Sequence, residues 1–195
     1  MAEQPIVLND LQLARMALKD PRSEETVLRR VYPRIFQMIR FAVGDKKQVD
    51  DIAQVAALEV VKGLKRYGGL GSIESWAGRI AFRTAMRVLK RQRKKEPTLM
   101  PLLDEDIASH VTPETSMSQR QLFSALVSKM DNIPTKRRVP LLLHLAYGYT
   151  VNEVSEMTEV SPNTVKDRLK TAIRELQTIL DENPGLRTAM LEEFS

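Results

Sequence analysis

Lys166, Asp167, Lys170 and Arg174 follow one another at steps of one, three and four, in a run that also holds Ser161, Asn163, Thr164, Arg168 and Thr171. Side chains of these types, so spaced, neither make nor break bonds. They offer recognition of a polyanion with polar edges: phosphates for the cations, base edges for the amide, carboxylate and hydroxyl groups. A second set has the same character. Arg79, Arg83, Arg87, Lys90 and Lys94 fall on one side of a helical wheel, with Trp76 above them and Arg91, Arg93 and Lys95 close by. No acid occurs within residues 79–95. Like charges four residues apart repel by a few tenths of a kcal/mol, so the stripe is costly until an anion relieves it. The plainer alternative is a solvated face.

These side chains need helices to present them. Ser161 is a cap and Pro162 takes the first helical position, where its fixed φ costs nothing. Val165, Leu169, Ala172, Ile173, Leu176 and Leu180 then hold that helix on a core. Just upstream, Thr150 and Glu153 form a capping box, Val154 and Met157 face inward, and Ser155 is small where two helices could approach closely. A short turn separates the two segments, so the pattern predicts a helix-turn-helix, against the alternative of two ordinary packed helices. Glu159 stands where such turns often carry glycine; a left-handed residue there costs about 1 kcal/mol.

The basic stripe rides on a helix capped by Ser72 and running to about Lys95, with Ile73, Ala77, Ile80, Thr84, Val88 and Leu89 inward. Three helices precede it. Asn9 caps the first; the second starts near Glu24, with Val27, Leu28, Val31, Ile35, Met38 and Ile39 on one face and Pro33 expected to kink it or mark a junction. The third starts near Asp50, carries Ile52, Val55, Ala56, Leu58, Val60, Val61 and Leu64, and ends at the glycines of YGGLGS. That loop could receive an unstacked base, with Trp76 or Tyr67 offering a face; Trp76 as plain core is the alternative.

Residues 97–118 reverse the composition, rich in acids and proline without Lys or Arg, and are expected to be a linker. Beyond it come an amphipathic helix, QLFSALVSKM, and another opened by Ile133-Pro134 with Val139, Leu141, Leu142 and Leu145 apolar. The expected fold is therefore all-α: two helical domains, 1–96 and 119–182, joined by the acidic linker, with a tail at 183–195 of unassigned role. No strand pattern is present. The 195 residues carry 30 Lys and Arg against 25 Asp and Glu, a net +5 that favours an anionic partner because it is clustered. Cysteine is absent, which excludes disulfides and thiolate metal sites and suits a cytoplasmic protein. The longest apolar run, VPLLLHLAYGY, is too short to span a membrane, so no insertion is expected.

With both halves read, the sequence resembles the extracytoplasmic-function sigma factors of bacterial RNA polymerase. DLQLARMALKDPRSEETVLRRVYPRIFQMIRF is similar to the opening helices of that family's first domain, and VDDIAQVAALEVVKGLKRY resembles its clamp-binding helix, Asp51 and Gln54 matching the usual Asp-x-x-Gln. GSIESWAGRIAFRTAMRVLKRQRKK looks like the segment that opens and reads the minus-10 element. Arg83 and Arg87 stand where the family more often has Asn and Asp. MDNIPTKRRVPLLLHLAYGYTVNEVSEMTEVSPNTVKDRLKTAIREL looks like the minus-35 domain. The resemblance implies a factor that directs promoter recognition and transcription initiation. Core polymerase would be bound through Asp51, Gln54, Leu58 and Lys62, and the minus-10 strand through Trp76, Arg79, Arg83, Arg87 and Lys90. The minus-35 groove would receive Ser161, Asn163, Thr164, Lys166, Asp167, Arg168, Lys170 and Thr171. It further implies a monomer when free, an anti-sigma factor as an additional partner, a linker lying in the polymerase channel, and no cofactor.

Two rivals belong to other classes. A free-standing helix-turn-helix regulator would account for residues 119–182 but should dimerise, and it leaves the first stripe unexplained. An enzyme would need a catalytic cluster: Asp50, Asp51 and Glu59 are the nearest to a metal set, His110 and His144 stand apart, and GGLGS lacks the Lys-Ser/Thr of a phosphate loop.

Overall fold

The structure, a computed structural model, describes residues 9–43, 48–95 and 117–193; residues 97–116 of the expected linker, His110 among them, lie outside these, and its last two, Met117 and Ser118, belong to a helix. Side chains 92–95, Lys94 of the stripe among them, also lie outside what is described. Every regular element among the described residues is a helix. The chain divides into two compact units, the first built on α1 to α4 and the second on α5 to α9.

In the first unit, α1 (Asp10–Ala17) opens at Asn9, whose side chain accepts the Gln12 N–H at 2.8 Å while Gln12 Oε1 accepts the Asn9 N–H at 3.1 Å. α2 (Pro21–Val43) begins earlier than its apolar spacing suggested, because Asp20 Oδ2 accepts the Ser23 N–H at 2.9 Å and Pro21 suits a first turn. It runs unbroken through Pro33, so Pro33 marks no junction. Val31, Ile35, Met38 and Ile39, all at 0% exposure, hold both sides of the proline on the core.

α3 (Val49–Gly63) continues into a 3₁₀ turn, Leu64–Arg66, and α4 (Ile73–Lys95) packs against α3. Ala53 and Ala56 on α3, and Ala77, Ala81 and Ala85 on α4, are fully buried. Small residues facing one another let two helix backbones approach closely. The inward face of α4 thus includes Ala81, Phe82 and Ala85, which the wheel omitted, while Val88 is only half-buried.

The second unit holds α5 (Met117–Lys129), a 3₁₀ turn at Met130–Asn132, α6 (Thr135–Leu145), α7 (Val151–Thr158), α8 (Pro162–Glu182) and α9 (Pro184–Glu193). Leu141, Leu142, Leu143, Tyr149, Val154, Met157, Val165 and Leu169 fill its core. Leu145, expected inside, is 56% exposed at the end of α6, whereas Tyr149 of the following turn is buried. Only the first half of α8 is deeply buried, at Val165, Leu169 and Ala172; Ile173 is exposed and Leu176 and Leu180 are half-buried. The tail residues form α9, which packs on α5 and α8.

Candidate nucleic-acid interface

The sequence between α7 and α8 dictates how α8 is presented. Thr150 and Glu153 form the expected capping box, the Glu153 carboxylate accepting the Thr150 N–H at 2.8 Å. Ser155 closes the turn, its Oγ donating to the Val160 carbonyl at 2.6 Å. Glu159 adopts φ 55 and ψ 37, the left-handed conformation foreseen for that position. Ser161 Oγ then accepts the Thr164 N–H at 3.2 Å, and Pro162 sits in the first turn.

From that start α8 exposes Asn163, Lys166, Asp167, Lys170 and Arg174, which at about 100 degrees per residue share one face. The remaining predicted residues stand differently. The Ser161 and Thr164 hydroxyls lie 2.9 Å apart and serve the cap, Thr171 donates back to the Asp167 carbonyl at 3.0 Å, and Arg168 is half-buried at the edge. Of the predicted residues, Asn163, Lys166, Asp167 and Lys170 are therefore the ones whose polar groups stand exposed together on one face.

The stripe on α4 is only partly as expected. Arg83, Arg87 and Lys90 are exposed and Arg79 is half-buried, with the 40% exposed Met86 among them. The stripe is not unopposed, however: Arg87 donates to Glu59 of α3, across the helix pair. Thr84 Oγ1 lies 2.6 Å from the same carboxylate and 2.9 Å from the Ile80 carbonyl oxygen, so its single proton serves one of them at a time. The acid that sequence-local counting missed comes from another helix. Glu59 is committed here, while Asp51 faces outward, and among the described residues no group of three or more His, Cys, Asp or Glu side chains could hold a metal ion.

Asp51, Gln54, Leu58 and Lys62 occur together on the outward face of α3, with Val55 between them; Leu58 is 59% and Val55 46% exposed. Ala56 turns inward to α4. This face is polar at its borders and apolar at its centre, the make-up of a protein-docking surface.

The loop between the 3₁₀ turn and α4 is built more firmly than its glycines suggested. The Tyr67 hydroxyl donates to the Gly71 carbonyl at 2.8 Å, and Tyr67 is buried, so it offers no open face to a base. Trp76 is half-buried, its ring 5.3 Å from that of Tyr67 and seated over Gly63, where an added Cβ would lie 3.2 Å from the indole. Residues that sequence reasoning passed over complete the support. Asp10 of α1 accepts the Ile73 N–H at 2.9 Å, Arg30 of α2 donates to Asp10 at 2.8 Å, and Arg30 also pairs with Glu74 of α4. Burial first, then the Asp10 and Glu74 charges, push the Tyr67 phenol above its ordinary range; the Glu74 hydrogen bond does the same for Arg30. No one-dimensional signal links residues 10, 30 and 74.

Comparison with known proteins adds a second line. Residues 27–95 match the family model described as sigma-70 region 2, and residues 123–176 match that described as sigma-70, region 4. The chain is similar to the ECF RNA polymerase sigma-E factor of Haemophilus influenzae, with 22% identity over 64% of this chain and 70% of that one. It is similar at 22% identity to the RNA polymerase sigma-H factor of Pseudomonas aeruginosa, over 92% of this chain and 97% of that one. Its fold is similar to that of the sigma factor RpoE solved with the anti-sigma factor NepR from Bartonella quintana, at a TM-score of 0.53 and 17% identity over 82% of this chain and 97% of that one.

Proposed function

Because the chain belongs to the extracytoplasmic-function group of the sigma-70 family, we propose that its exposed faces divide the work of promoter recognition between them. It is an alternative sigma factor that directs transcription initiation. In this reading the first unit, 1–96, carries core-polymerase and minus-10 binding, 97–118 is a linker, and the second unit, 119–182, carries minus-35 binding. The observation that carries it is the order of region 2 before region 4, each on a unit that presents cations along one exposed helix.

Asp51, Gln54, Val55, Leu58 and Lys62 would dock on core polymerase, burying the exposed Val55 and Leu58. Arg79, Arg83 and Lys90 would follow the minus-10 backbone, with Arg87 exchanging Glu59 for phosphate and Trp76 supporting the loop from behind. Asn163, Lys166, Asp167 and Lys170 would read the minus-35 groove, while Ser161, Thr164, Arg168 and Thr171 set the helix start and register. A protein that covered the α3 face would keep the chain from polymerase, and the anti-sigma partner of the Bartonella quintana relative makes such a regulator a reasonable partner here. Sigma factors as a family are not enzymes, and this chain acts by binding alone. We place it in the cytoplasm with polymerase; among the described residues no helix is long and apolar enough to cross a membrane.

The test is capture of core polymerase by the full chain, followed by transcription from a randomised promoter library. Core binding with selection of a two-element promoter supports the reading. A stable dimer that binds a palindrome and ignores polymerase overturns it.

A further inference from the structure

Arg87 and Glu59 belong to different helices, and their ion pair ties the stripe of α4 to α3. The two side chains are 51% and 31% exposed, so the pair is in contact with water, where such pairs are worth little and are readily broken. The same nitrogen of Arg87, Nη2, also donates to Thr84 Oγ1 at 3.2 Å. Thr84 is 2% exposed, and its hydroxyl in turn lies 2.6 Å from the Glu59 carboxylate. The carboxylate therefore has two partners of unlike standing: a long cation that can swing into water, and a hydroxyl buried on α4. When Arg87 leaves, Glu59 keeps Thr84 and its share of solvent, and no charge is stranded in the interior.

We propose that Glu59 is an internal rival of DNA phosphate for Arg87, and so a residue that sets how tightly, and with what salt dependence, the first unit grips its promoter. A carboxylate and a phosphate offer a guanidinium the same thing: negatively charged oxygens that accept charge-assisted hydrogen bonds. With Glu59 in place, a contact between Arg87 and DNA replaces one anion by another, and the gain is the difference between the two. Without Glu59 the whole contact counts. The ion balance shifts in the same sense. A cation that meets DNA releases about one counterion, whereas a cation that leaves a carboxylate behind bares a negative charge beside the phosphates and cancels part of that release. Thr84 keeps the exchange reversible, because it holds the carboxylate in place for the return of Arg87. The inference rests on the reading that α4 faces promoter DNA, and it adds what Glu59 does to the strength of that contact.

The experiment uses holoenzyme reconstituted from the full chain and bacterial core polymerase, and measures its affinity, across a salt series, for a promoter that the parent selects from a randomised library. Glu59→Gln keeps the shape of the side chain and removes its charge. It should tighten binding by about five-fold at moderate salt, the upper range for a pair this exposed, and steepen the salt dependence by about one ion. In an Arg87→Ala background the same change should alter affinity by less than about two-fold and leave the slope as it was, since no cation is set free. Glu59→Ala is a second neutral variant with the same expectation, and core capture and a thermal melt show that each variant is folded. Equal tightening in both backgrounds would make Glu59 a general repulsive charge and overturn the inference; no tightening in either overturns it too, and both outcomes leave the sigma reading intact. A parent that captures no polymerase and selects no promoter overturns that reading first and the inference with it.

Discussion

Glu159 holds a conformation that glycine adopts without steric penalty, and the turn between α7 and α8 depends on it. Glu159→Gly should stabilise the second unit by about 1 kcal/mol, read as a higher urea midpoint at unchanged slope. Asp20 gives a pH-dependent test. The Ser23 hydroxyl, then the Ser23 N–H, hold its carboxyl below the ordinary 3.8. A carboxyl depressed in the folded state stabilises above its unfolded value and loses that contribution as pH falls through the folded one. Asp20→Asn should therefore flatten the acid limb of the stability profile below about pH 4 and leave the neutral plateau's shape unchanged, checked by urea titration across a pH series. At this scale the sequence was legible at the Asn9, Thr150 and Ser161 caps, whose partners lie three residues away. It was silent where they lie far apart: Arg87 met Glu59, and Arg30 met Asp10 and Glu74.

Helices turn those single contacts into surfaces, and α4 shows why its cations are not interchangeable. Arg83→Glu should preserve the fold and core binding but weaken promoter opening, measured as permanganate reactivity, with the defect partly masked at low salt. Arg87→Glu should also lower stability, because it sets a second carboxylate against Glu59 beside the buried Thr84; a thermal melt separates the two variants. On α8, reversing Lys166 or Lys170 should cost about 1 to 3 kcal/mol of minus-35 affinity if a base contact is lost, and should give a shallower salt dependence if a phosphate contact is lost. Unchanged promoter selection after both reversals would mean that α8 faces something other than DNA. Helical spacing put Arg83, Arg87 and Lys90 of α4 and Lys166, Asp167 and Lys170 of α8 on exposed faces because one helix surface repeats locally. It misjudged Leu145 and Ile173, whose exposure depends on where neighbouring helices stop.

Across the whole molecule, the order of the eight helices that precede the tail and the position of the helix-turn-helix could be read from capping and periodicity. The packing of the tail could not, since α9 owes its place to surfaces on α5 and α8 that lie far off in the chain. The chain has a single tryptophan, and it sits in the first unit, beside Tyr67 and above Gly63, at the foot of the loop that carries Leu70. Intrinsic emission excited at the red edge therefore observes one half of the protein from a spot beside the loop that precedes α4, without any dye. A spectral change on adding promoter DNA would report that half alone, whereas circular dichroism would average over every helix.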